Sequence, residues 1–163
     1  IDGVFSEIYP TTTDGYSRAL CLLIAFSENT HINGGYYEKS GYDTIRVAAG
    51  AKNTVLDGVV AKKAKRGAIQ ITPESDNVLL NNCIFDNTEG GESSSHAFFA
   101  HNLNNVVANN LVLRSKNGFC MFLFSDGDSA RMRISKMSYL KQKSIELSAY
   151  STNGQKTLKF KES

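Results

Sequence analysis

Three groups of residues in this chain are of types that could do chemistry. The densest is A-K-K-A-K-R-G, where Lys62, Lys63, Lys65 and Arg66 fall within five residues. Proteins hold phosphate through charge-assisted contacts from Lys and Arg, so the run reads either as a site for an anion such as a nucleotide phosphate or as a solvated loop. No G-x-x-x-x-G-K run accompanies it, so a nucleotide site here would be atypical. The second group is Glu89, Glu92, three serines and His96, with His101 close behind. Ser, His and Glu suggest hydrolysis, but a triad is a spatial arrangement and such clusters are ordinary loop composition. The third group is carboxylates. Asp2, Glu7 and Asp14 stand near the start, where solvation alone would explain them, and Asp43, Asp57, Asp76 and Asp86 are spread further on. Glycoside hydrolysis would need two of the latter facing each other across neighbouring strands.

What must position these residues is a repeat. N-V-L-L-N-N-C-I-F at Asn77 recurs in variants at Asn29, Asn53 and Asn105, with spacings of 24, 24 and 28 residues, and a looser copy starts near Arg131. A period of this size marks a solenoid. Within each copy the apolar residues alternate with polar ones, as in a strand. Then comes an Asn, Asp or Gly pair that tolerates the left-handed backbone of a sharp bend, and the alternation resumes. A further short strand precedes each copy, at Leu22 to Phe26, Thr44 to Val47, Ala68 to Ile71, Ala97 to Ala100 and Phe119 to Phe124. Three strands per copy and no run of helix formers predict an all-β fold, a short right-handed parallel β-helix of about five rungs. The Asn positions are then turns, and Val, Ile, Leu and Phe are core. His31 takes an outward position, which reads as surface or subunit contact.

The rest of the chain is organised around that solenoid as one structural domain. Residues 1–16 read as a non-repetitive leader, 17–143 as the β-helix and 144–163 as a capping hairpin, with Ser151-Thr152-Asn153-Gly154 between its strands. The residues D-N-T-E-G-G-E-S-S-S-H between the third and fourth copies read as a bulging loop. A net charge of +2 across 163 residues does not call for a nucleic acid partner, and no apolar run reaches membrane-spanning length. Cys21, Cys83 and Cys120 lack metal-ligand spacing and read as buried thiols of a reducing cytosol. Phe98, Phe99, Phe122, Phe124, Tyr36 and Tyr139 exceed what a narrow lumen is expected to hold. Some must then face outward, and contiguous exposed aromatics mark an interface.

The rungs N-T-V-L-D-G and N-V-L-L-N-N-C-I-F, the leader I-D-G-V-F-S-E, the missing initial Met and the size carry a resemblance that could cover the whole chain. The chain resembles the β-helical C-terminal modules of bacteriophage tail spikes, most closely the terminal domains of the preneck appendage proteins of small Bacillus podoviruses. That resemblance implies an intramolecular chaperone. It would drive homotrimer assembly of an upstream spike body in the host cytoplasm, cut itself off near its own N-terminus, and leave with the help of ATP. A peptide cut without metal or thiol needs positioned proton transfer. On this expectation Asp2 and Glu7 are the candidate catalytic residues, and Lys62, Lys63, Lys65 and Arg66 the candidate ATP contacts. The rung motif itself is shared by lyases, glycosidases and adhesins, so a carbohydrate-binding or carbohydrate-degrading module is the alternative.

Overall fold

The computed structural model describes residues 5–7, 20–89, 96–101, 104–115, 120–125, 132–134, 137–141, 148–151 and 154–157. All regular structure among them is β-strand. The chain winds repeatedly through three parallel sheets. It enters sheet C by β2 (Leu22–Ala25), β5 (Asp43–Ala48), β8 (Gly67–Ile71), β11 (His96–His101) and β14 (Met121–Ser125). Each is followed in sheet A by β3 (His31–Asn33), β6 (Lys52–Asp57), β9 (Asp76–Asn81), β12 (Asn104–Asn109) and β15 (Met132–Ile134). Sheet B then takes β4 (Tyr36–Glu38), β7 (Val60–Lys62), β10 (Ile84–Asn87), β13 (Leu111–Ser115) and β16 (Met137–Lys141). This is a parallel β-helix.

Stacking follows from the repeat because equivalent residues pair. Ile32, Leu56, Leu80 and Ala108 form one inward column of sheet A. Tyr37, Ala61, Phe85 and Leu113 form one in sheet B, and Ile45, Ile69, Phe98 and Met121 one in sheet C. All twelve are essentially buried. At the corner from A to B the left-handed backbone anticipated from composition is present, with φ of 69° at Gly34, 66° at Gly58, 53° at Asn82 and 54° at Asn110. Gly and Asn pay least for that conformation, which is why they occupy that corner in all four of these rungs.

Two readings of the sequence change. The leader is not wholly outside the repeat: β1 (Phe5–Glu7) pairs in parallel with β4 and extends sheet B by one strand. Of the aromatics set aside as too bulky for the lumen, Phe98 is inside, its ring centroid 6.4 Å from that of the equally buried Phe85. Of the hairpin region, the described residues form β17 (Ser148–Ser151) and β18 (Gly154–Thr157). β17 continues sheet C in parallel on β14, and β18 folds back antiparallel on β17.

Candidate functional site

The outer face of sheet A carries a concavity, and its residues come straight from the repeat. Between the inward positions of each strand lies one outward residue, giving the in-register column His31, Val55, Leu79 and Val107. On one side of it stand the lead asparagines Asn29, Asn53, Asn77 and Asn105, with φ between 50° and 60°. Asn53 Nδ2 donates to Asn29 Oδ1 (3.0 Å) and Asn77 Nδ2 to Asn53 Oδ1 (2.8 Å), while Asn105 Nδ2 turns to Asp76 Oδ1 (3.1 Å). On the other side Asn109 Nδ2 donates to Asn81 Oδ1 (2.9 Å), Asn110 Nδ2 to Asn82 Oδ1 (2.9 Å) and Asn82 Nδ2 to Asp57 Oδ1 (3.0 Å). Two carboxamide ladders thus border an aliphatic floor. The groove they enclose measures about 420 Å³ and its lining holds no charged side chain.

The basic run lies at the corner between sheets B and C, where the structure splits it. Lys62 and Lys63 line a recess of about 100 Å³ together with Tyr36, Asp86, Thr88 and Glu89. Lys62 lies over the Tyr36 ring at 5.6 Å, and Lys63 Nζ is 3.0 Å from Glu89 and 3.7 Å from Glu38. The hydrogen bond to Glu89, then the charges of Glu38 and Glu89, push the Lys63 ammonium above its ordinary value. Arg66 is outside that lining. Its guanidinium lies 4.9 Å from the Tyr42 ring and 5.2 Å from the Phe99 ring and donates to the Tyr42 hydroxyl. Lys65 donates its amide to Ser40 O and is likewise absent from the recess lining. A phosphate in the recess would meet the carboxylates of Asp86 and Glu89 as well as the two lysines. In sheet B the register column Glu38, Lys62, Asp86, Arg114 alternates in charge, a self-neutralising arrangement.

The remaining candidates are dispersed. Asp2 falls outside the described residues. Glu7 ends β1 in register with Glu38. His31 is exposed on sheet A as expected. His96 stacks on Phe99 (6.0 Å between centroids), whereas Glu89 is held by Lys63. The four aspartates each have their own partner. Asp43 pairs with Arg46 (2.5 Å) and Asp86 with Arg114 (3.2 Å), while Asp57 and Asp76 accept from the asparagine ladders. Among the described residues no group of three or more His, Cys, Asp or Glu is placed to hold a metal. The cysteines are not in disulfides; burial pushes the Cys83 thiol up to about 11, and Cys120 is raised for the same reason.

One residue was not singled out by pattern. Phe26, at the corner between sheets C and A, is 88% exposed and has φ 50°, a left-handed conformation that a bulky side chain rarely adopts. The available signal was its place just after the inward–outward alternation of Leu22 to Ala25, where the next copy has Ala49. No family model, no curated protein and no solved structure matches the chain.

Proposed function

We propose that this chain is a β-helical assembly module that associates as a homotrimer, the role expected of the terminal domain of a spike-like protein. The observation that carries this reading is the uncharged, aliphatic-floored groove on the outer face of sheet A. The outer face of an isolated solenoid is free to be polar. A column of Val55, Leu79 and Val107 there adds nothing to the lumen and makes a contiguous apolar strip of the kind that marks an interface. In a coaxial assembly equal rungs lie at equal heights, so one strip per chain lines up around a common axis without further fitting. A glycoside hydrolase is less well supported, because the four candidate aspartates are each engaged elsewhere. The test is sedimentation and light scattering of the chain at micromolar concentration, with Leu79→Lys as the variant. Trimer for the parent chain, and at least tenfold weaker association for the variant, are expected. A parent chain that stays monomeric would sink the proposal.

A second reading, self-cleavage near the start of the chain, is favoured by one observation: Glu7 and Glu38 occupy the same register position on neighbouring strands. Adjacent carboxyl-bearing residues are what acid–base hydrolysis of an amide uses. Glu7→Gln in a precursor that carries residues upstream of Ile1 should leave that precursor uncut, as read by mass spectrometry. Normal cutting of the variant would move the chemistry elsewhere. ATP binding is not part of either proposal, since the recess beside Lys62 and Lys63 carries carboxylates as well.

A further inference from the structure

We infer that Phe26 of one copy enters the lower end of the sheet A groove of the next copy, and so supplies the knob that the groove receives. The inference rests on the homotrimer reading and adds to it the contact that makes the trimer.

The argument begins with what the fold does and does not require at this corner. The backbone there is left-handed in consecutive rungs, with φ 50° at Phe26 and 43° at Ala49, and the Phe26 amide donates to Ala49 O (3.0 Å). The corner thus imposes the conformation, and in the second rung a methyl group satisfies it. Nothing inside the chain calls for an aromatic ring, which is 88% exposed and adds to the strain. A large apolar side chain left solvated in the single chain gains free energy when another surface covers it.

The groove is the matching surface. It is floored by Val55, Leu79 and Val107, and none of the residues that line it is charged. Its volume of about 420 Å³ exceeds that of one aromatic side chain. Phe26 belongs to the first rung and the groove opens at the second, one strand spacing of roughly 4.8 Å higher, which is within reach of a phenylalanine ring. The ring therefore meets Asn53 and Val55 first. The knob and the groove are different surfaces of one chain, so the contact is heterologous, and a threefold rotation closes it into a ring.

The experiment places the photo-reactive analogue benzoylphenylalanine at position 26 in the full chain and mixes isotopically light and heavy copies before irradiation. Cross-links from one copy to the peptide 52–57 or 76–81 of another are expected. In parallel, Phe26→Ser and Val55→Lys should each weaken self-association at least tenfold with an unchanged circular dichroism spectrum, and Phe26→Leu should retain most of it. If the parent chain is trimeric but the cross-links fall elsewhere, or Phe26→Ser assembles normally, this contact is wrong while the trimer stands. If the parent chain is a monomer, both are wrong.

Discussion

At the scale of single residues, the fold depends on side chains that make a left-handed backbone tolerable. Asn77 shows how one residue serves two ends. Its φ of 60° is cheap for asparagine, and its amide donates to Asn53 Oδ1 at 2.8 Å, tying the second rung to the third. Both contributions disappear in Asn77→Ala. The position is exposed, so the hydrogen bond is worth little and the backbone dominates, and the total loss should be about 1–2 kcal/mol. Asn77→Gly loses the same hydrogen bond but keeps the conformation, and should cost clearly less. Urea denaturation of the two variants separates the effects. Equal losses would mean that the ladder, and not the backbone, is what asparagine supplies.

At the scale of elements, period-two alternation decides what each strand does, and it was readable because the repeat shows it several times over. Leu79 and Leu80 are neighbours of the same type on β9, yet Leu80 is fully buried in the lumen and Leu79 lies in the outward column. Leu80→Ala should cost about 2–5 kcal/mol. Leu79→Ala should stay within about 0.5 kcal/mol for the single chain. Denaturation at a concentration low enough to keep the chain dissociated measures both, and similar losses would reverse the assigned faces. The strand preceding each copy, the corner and the resumed strand were likewise legible from Leu22, Asn82 and Phe85 and their equivalents. What was not legible has physical causes. The strand Phe5–Glu7 escaped because the long segment before the first full copy breaks the period. Which of the neighbours Phe98 and Phe99 enters the lumen is set by the register of Phe98 on Ile69, which the local sequence alone does not reveal. Likewise the splitting of the basic run depends on carboxylates brought in by other rungs, Glu38 from the first and Asp86 and Glu89 from the third.

At the scale of the whole molecule, stability is shared among stacked rungs, and two carboxylates in different columns tie it to pH with opposite signs. Asp43 is buried, and burial raises its pKa above the usual carboxylate range although Arg46 and, further off, Arg66 pull it down. Its contribution is therefore complete below the unfolded value of about 4 and is lost as pH rises through the folded value. For Asp86, burial also works upward. The Thr88 hydroxyl and amide and the Arg114 guanidinium outweigh it, and the folded pKa ends below the usual range. That contribution is present above about 4 and is lost as pH falls through the depressed value. Replacing each by its amide removes one limb at a time. Relative to the parent chain, Asp43→Asn should become progressively more stable as pH rises from about 4 towards neutrality, and Asp86→Asn should lose its deficit as pH falls below about 4. Thermal unfolding at constant ionic strength reads both, and the shapes of the curves matter more than their offsets, since each substitution also alters an ion pair at every pH where the pair exists. A stability difference for Asp43→Asn that does not vary with pH would show that Asp43 ionises in the folded chain as it does in the unfolded one. The Arg46 contact at 2.5 Å, rather than burial, would then govern that corner.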